Sequence, residues 1–429
     1  MPDPGPKAVS QTLRPRRRAA RALDTGPARE DALLDAAAAE FNLYGVSGAS
    51  LPRIAKAIGL TRAALYYYFK SREDLAYRCY LRACGITAAD LAAAEKSGRN
   101  GLQRVQGFIR QALDPTRAPG VVPSEIARLN DDQRARVEAA HGRNVATLTR
   151  FIREGIDDRS IRECDAEVAA QSIFGMVYWA PLAEEWAEGT GEQVRRRAAQ
   201  ALADLVTHGI ASDPDRPFTC ALDVQAFAFK PKNAFDRDEA AAMKIEMLTR
   251  TASRLFNQRG IDGTSLDQIT QALGATKGAF YQYIADKTTL VVECHRRQLV
   301  LSARIAEAAG KAGRNGLERA FIGLHLLVQA FAGELSPLSP LTGVEALPPK
   351  ASAAIRRRGQ ELAAKYAQYN QEGFADGSFR PFDSRTLATV GAGVFSWIPK
   401  WRTDGDSRSP RFIADEITAL FVRGLRRRA

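Results

Sequence analysis

The sequence is poor in the residues that build catalytic and metal centres. Only four of its 429 residues are histidine and five are cysteine. His141, His208, His295 and His325 show no metal-like spacing. Cys79, Cys84, Cys164, Cys220 and Cys294 form no CxxC pair. An odd number of scattered cysteines in a long chain reads as free thiols in a reducing compartment, each filling space as a small apolar residue. The HExxH, GxSxG, GxGxxG and P-loop patterns are absent, so nothing points to an enzyme, and no cofactor or metal is expected. Long apolar runs are missing too. The longest, 321–331, is broken by His325 and is far short of the roughly 20 residues that span a bilayer. The N-terminus has no apolar signal region. The expectation is a cytoplasmic protein with no membrane partner. No sustained alternating pattern demands a sheet, and the expected fold class is all-α.

What the chain does have is positive charge, with a formal net charge of +12. A basic excess favours a polyanionic partner, of which nucleic acid is the commonest soluble kind. The charge is partly concentrated in residues 1–29, which include Arg14-Pro15-Arg16-Arg17-Arg18. No apolar period runs through them, so they read as a disordered basic arm. It is either a solubilising tail or an arm that touches DNA.

The chain also repeats itself. Residues 59–69, GLTRAALYYYF, return as 274–284, GATKGAFYQYI, an offset of 215. Between Phe41 and Cys79, 15 of 39 positions are identical to their partners 215 residues on, against roughly 2–3 expected from average composition. The identities include Asn42/Asn257, Gly45/Gly260, Tyr66/Tyr281 and Tyr68/Tyr283. The repeat continues at 98–102 and 313–317, then at 154–162 and 372–380, where the offset becomes 218. Trp179 and Trp397 share the later offset. The duplication therefore covers a whole globular unit, not a short motif, and is far longer than a solenoid repeat. Residues 211–237 carry Pro214, Pro217 and Pro231 and read as the linker between units. Fully extended, they would reach roughly 90 Å.

Each copy contains the pattern of a helix-turn-helix. In the first, the helix over 30–44 stops at Gly45. Ser50 caps the next helix, whose apolar face is Leu51, Ile54, Ala55 and Ile58. Gly59 makes the tight turn, and Thr61 caps a short second helix. At 100° per residue, Leu65 and Phe69 face inward. Ala63, Tyr66, Tyr67 and Lys70 face outward, with Arg62 at the edge. A small residue permits close approach to a groove. Tyrosine hydroxyls donate to phosphate, and arginine reaches guanine O6 and N7. In the second copy Phe280 and Ile284 are the inward pair. Gly278, Tyr281 and Gln282 face outward, Lys277 lies at the edge, and Ala285 replaces Lys70.

These residues, from Ser50 through Gly59 to Leu75 and from Thr264 through Gly274 to Leu290, resemble the DNA-binding signature of the tetracycline-repressor (TetR) family. The resemblance is specific over about 45 residues per copy. It implies two tandem units of nine or ten helices, each a three-helix reader followed by a bundle that binds a small ligand and dimerises through its last two helices. Those helices would be about 164–182 and 191–210, then 383–400 and 409–426. The implied divisions are readers at 30–80 and 238–295 and ligand domains at 81–210 and 296–429. The implied DNA contacts are Ser50, Thr61, Arg62, Ala63, Tyr66, Tyr67, Tyr68 and Arg72. Their second-copy partners are Ser265, Thr276, Lys277, Gly278, Tyr281, Gln282, Tyr283 and Lys287.

The ligand domains carry aromatics on helical faces: Phe108, Phe151, Phe174, Tyr178, Trp179 and Trp186, then Phe321, Phe331, Tyr366, Phe395, Trp397 and Trp401. They read as core or interface, with a few available to line an effector pocket. The expected protein is a ligand-responsive transcriptional repressor that pairs its own halves and reads two half-sites of double-stranded DNA. Its effector is a small molecule of unidentified class. Three alternatives stay open: one degenerate reader with two chains forming a homodimer, an architectural DNA protein without small-molecule control, and activation in place of repression.

Overall fold

The computed structural model describes residues 26–428 apart from 118–119, 124, 183–190, 232, 234, 340–343, 345–346 and 404; the side chains of 26, 27, 191 and 386–389 also lie outside the description. All but four residues of the basic arm, and Trp186, therefore fall outside the described residues. The remaining four, 26–29, are already helical.

Among the described residues the fold is all-α, with no strands and only two isolated β-bridges. The first half contains α1 (Gly26–Gly48), α2 (Leu51–Ala57), α3 (Arg62–Leu65), α4 (Arg72–Ser97), α5 (Gly101–Ala112), α6 (Asp131–Asp157), α7 (Ala166–Leu182) and α8 (Gly191–His208). The second contains α9 (Arg237–Arg259), α10 (Leu266–Ala272), α11 (Lys277–Tyr281), α12 (Lys287–Ala312), α13 (Gly316–Ala332), α14 (Pro349–Ala375), α15 (Ser384–Trp401) and α16 (Pro410–Arg423). Each half thus has eight described α-helices, fewer than the nine or ten implied by the resemblance. The segment after α5 carries Pro115 and Pro123, which lack the N–H a helix needs, and among its described residues the one helical turn is a 3-10 turn at Ile126–Arg128.

The repeated stretches at 98–102 and 154–162 lie some 55 residues apart, yet they build one joint. Asn100 caps α5 through Gln103 N–H. The Gly101 N–H donates to Asp158 at 2.8 Å, and the Leu102 N–H to Ser160 Oγ at 3.1 Å. Arg104 pairs with Glu154. A side chain on Gly101 would collide with the backbone of Gly155. The second half repeats the joint: Gly316 N–H to Asp376 at 2.7 Å, Leu317 N–H to Ser378 Oγ at 3.2 Å, and Arg319 to Glu372. The sequence motif is conserved between copies because it docks the start of one bundle helix onto the end of another.

The linker is no free strap. Cys220 and Val224 are buried with Leu301, Ile305, Ile322 and Leu326 of α12 and α13. The extended reach read from the sequence is therefore not used. The two halves share a core in which Ile173 and Phe174 of α7 lie with Val394 and Ile398 of α15.

The contact between halves is reciprocal. A Cβ on Gly175 would lie 2.7 Å from the Gly393 carbonyl oxygen, and Gly393, 218 residues on, would clash in turn with Gly175. Arg162 Nε donates to Gly424 O at 2.7 Å, and Arg380 Nε to Gly209 O at 2.7 Å. Arg162 N–H donates to Leu425 O and Arg380 N–H to Ile210 O. Each bond has a partner at the repeat offsets, which is the signature of a two-fold, self-complementary contact. No helix among the described residues is long and apolar enough to cross a membrane.

Candidate nucleic-acid interface

Short side chains and turns set the geometry of both readers. Gly59 and Gly274 have φ of 69° and 63°, the left-handed region that glycine enters without strain. The turns close through Leu60 N–H to Ala55 O at 2.8 Å and Ala275 N–H to Thr270 O at 2.9 Å. Thr61 Oγ1 then accepts from Ala64 N–H, and Thr276 Oγ1 from Ala279 N–H, both at 3.2 Å. These caps satisfy donors that a helix start leaves unpaired.

Ser50 and Ser265 cap the preceding helices. In the second copy Gln268 returns the bond to the Ser265 N–H at 2.8 Å, a full capping box. In the first copy Arg53 stands at that position and cannot accept. Glu40 takes the Ser50 N–H instead, at 2.8 Å, and also pairs with Arg53. The Arg53 guanidinium lies 4.3 Å from the Tyr44 ring centroid.

The inward pairs are as expected, with Leu65, Phe69, Phe280 and Ile284 all buried. Arg62, Ala63, Tyr66, Tyr67 and Lys70 form an exposed face, and Tyr67 is 92% exposed. In the second reader Lys277, Gly278, Tyr281, Gln282 and Ala285 are exposed. Lys277 is already engaged, its Nζ 2.7 Å from Asp267. The hydrogen bond to that carboxylate raises its pKa.

Four expected contacts pack on the readers themselves. Tyr68 and Tyr283 are half-buried against the reader cores, and the Tyr283 hydroxyl accepts from Lys244 at 2.9 Å. Arg72 donates to the Ser47 carbonyl at 2.6 Å, fastening α4 to the end of α1. Lys287 lies half-buried, 4.0 Å from Asp262.

One functional pair carried a sequence signal without a role. Asn42 donates to Gly120 O at 3.0 Å and accepts from Val122 N–H at 2.8 Å. Asn257 does the same with Pro337 O and Ser339 N–H, at 2.8 and 2.7 Å. Each amide thus latches a reader to the loop that follows α5 in the first half and α13 in the second. The identity at Asn42/Asn257 was visible in the repeat, but its partners lie 78–82 residues away. Separately, a cleft of about 250 Å³ opens between the linker, α9 and α12, lined by Phe227, Phe229, Ile245, Val300 and Leu301 with Arg297 in its wall.

Two family models match the chain, each twice. Residues 33–79 and 248–294 match the N-terminal model of the bacterial regulatory proteins of the tetR family. Residues 103–210 and 319–425 match a tetracyclin repressor-like C-terminal domain. The chain is 51% identical over 43 residues to the HTH-type transcriptional regulator AcrR of Shigella flexneri, covering 10% of this chain and 20% of that protein. It is 29% identical over 110 residues to the regulator BetI of Rhizobium meliloti (strain 1021), covering 25% and 54%. The chain thus spans a fifth to about half of the length of these curated relatives. A solved structure of AibR with isovaleryl coenzyme A and operator DNA aligns at 23% identity and a TM-score of 0.34, over 42% of this chain and 98% of that one.

Proposed function

The chain belongs to the tetR family of bacterial regulatory proteins in both of its halves, and from that premise we propose that it is a ligand-responsive repressor acting as a single-chain pseudo-dimer. The observation that carries this reading is the reciprocal contact of α7 and α8 with α15 and α16, joined to two readers with exposed tips. In this reading the tips enter successive major grooves about 34 Å apart. Covalent linkage favours pairing within the chain, since it holds the partner half at roughly millimolar effective concentration.

The contacts we assign are Arg62, Ala63, Tyr66 and Tyr67 in one half-site and Lys277, Gly278, Tyr281 and Gln282 in the other. Thr61, Thr276, Ser50 and Ser265 add hydroxyl donors at the helix starts, where anions are favoured. Tyr68, Tyr283, Arg72 and Lys287 contribute by holding the readers in shape. A small-molecule effector would stabilise a state in which the readers are wrongly spaced, releasing DNA.

The test is selection of binding sites from random duplex, followed by titration of Tyr66→Ala combined with Tyr281→Ala. We expect an imperfect palindrome, because Arg62 faces Lys277, Tyr67 faces Gln282 and Lys70 faces Ala285 across the two copies. We expect the double variant to keep its helical content and lose specific binding by about a hundredfold or more, since two phosphate and base contacts at about 1–3 kcal/mol each are removed. Tight binding by a folded double variant would sink the assignment.

A further inference from the structure

The two readers meet at one carboxylate. Glu125 stands at the start of the 3-10 turn Ile126–Arg128, in the loop after α5. Its Oε2 accepts from Val46 N–H at 3.1 Å, and from the Ser47 N–H and hydroxyl at 3.4 Å. These atoms belong to the last turn of α1, past its kink at Gly45, in the first reader. On its other side stands the second reader. A Cβ placed on Gly260 would lie 3.3 Å from Glu125 Cγ, and one on Gly45 would strike the carboxylate itself. Gly45 and Gly260 hold the same place in the repeat, with φ of 70° and 78°. Both therefore need glycine for their backbone, and both face one side chain.

The rest of the turn continues the bridge. Arg128 pairs with Glu73 at the start of α4 at 3.4 Å. Ala127 lies under Gly263 of the second reader. Lys400 of α15 interacts electrostatically with Glu125.

Among the described residues the bridge is seen in one orientation. Val122 and Ser339 make equivalent bonds to Asn42 and Asn257, so the loops align at an offset of 339 − 122 = 217. Glu125 then aligns with Thr342 in the sequence, because 125 + 217 = 342. At the later offset Lys400 aligns with Leu182, because 400 − 218 = 182. Neither partner position carries the charge. A homodimer would present such a wedge twice or not at all.

We propose that Glu125 is a positioning residue: the segment Glu125–Arg128 is a wedge from the first ligand domain that sets the distance between the two readers, and thereby the half-site spacing the protein accepts. This rests on the two-reader reading above. It also supplies a route from the bundle to the DNA. The loop leaving α5 both latches Asn42 and bears on the second reader, so a shift of α5 is felt by both.

The experiment measures the reader-to-reader distance by pulsed electron resonance, with spin labels on Tyr67→Cys and Gln282→Cys. Four native thiols are buried, and Cys164, which is half-buried, is replaced by serine. In the parent a single narrow distance is expected; Glu125→Ala should broaden it about twofold, as a lost set of half-buried bonds frees one element from the other. Lys400→Met is the second variant, should Glu125→Ala fail to fold. It keeps the aliphatic stem and removes the cation, and the same broadening is expected.

A parallel arm titrates the unlabelled variants against operators lengthened or shortened by one or two base pairs. The parent should discriminate by about tenfold or more, and the variants by about threefold or less. An unchanged distance distribution in a folded variant, or unchanged spacing discrimination, would overturn the proposal. The distance arm contains no DNA. It therefore judges the wedge even if the double tyrosine variant keeps its binding and the two-reader reading falls.

Discussion

His141 sits among rings contributed by both halves of the chain. Its ring centroid lies 5.6 Å from Phe174, 5.9 Å from Tyr178 and 5.8 Å from Trp397, and the Tyr178 hydroxyl lies 3.2 Å from its Nδ1. Burial pushes its pKa down to about 4, against an ordinary value near 6.5. As pH falls through about 6.5 the unfolded chain takes up this proton first. Stability contributed by the neutral imidazole is therefore fully present above about 6.5 and is lost progressively towards about 4. The loss is at most about 3 kcal/mol. Urea denaturation at pH 7.5 and 5.0 should show it, and His141→Gln should flatten that difference. His325 belongs to the same class. It is fully buried, bonded to Asp415 and Gln329, and its pKa is lowered by burial. It is a core histidine whose ring nitrogens both have partners. The cysteines also follow expectation: burial raises Cys79 and Cys294 to about 12 and Cys84 and Cys164 to about 11, far from reactive thiolates.

At the scale of elements, the readers were the most legible part of the chain. A cap, an apolar period and a turn glycine are local features, and each acts within about four residues. Thr61 and Thr276 illustrate this. Each closes the first turn of a recognition helix too short to be stable alone. Thr61→Ala or Thr276→Ala should cost about 1 kcal/mol, read as a lowered midpoint of chemical denaturation. Either should also weaken DNA binding more than it weakens the fold, because the cap orients the exposed face. Tyr68 and Arg72 were less legible. Both types suit DNA contact, yet Tyr68 also packs on the reader core and Arg72 also donates to the Ser47 carbonyl. Residue chemistry does not reveal whether a polar group has found a partner elsewhere in the protein. The packing of the linker was not legible for a related reason. Its prolines signal irregular backbone, but its Cys220 and Val224 find an apolar surface on α12 and α13 that no local pattern announces.

At the scale of the whole molecule, the contact of α7 with α15 depends on two missing side chains. Gly175 and Gly393 let the backbones approach until either Cβ would collide, and Trp397 Nε1 donates to Gln171 across the same seam at 3.2 Å. Gly175→Leu would force the helices apart, at a cost of about 1–3 kcal/mol or more. The readers have their own cores, so they should stay folded. The expected outcome is a lowered thermal midpoint, with binding to a full two-half-site duplex falling towards the affinity for one half-site. Mobility-shift titration on both duplexes checks it; equal loss on the two would place the effect in the readers.

Sequence alone determined the helical class, the duplication, the two readers, their inward pairs and their capping residues. Each rests on short-range stereochemistry or on direct comparison of one half with the other. Tertiary structure decided what those repeats are for. It joined 98–102 to 154–162 in one hinge between helices, turned the offsets of 215 and 218 into mirrored hydrogen bonds across a seam, and set Glu125 between Gly45 and Gly260. Periodicity says which face of a helix is apolar, but many surfaces in the chain could cover that face. The choice among them is made by shape and by bond partners 50 or more residues apart, and only the folded chain brings those together.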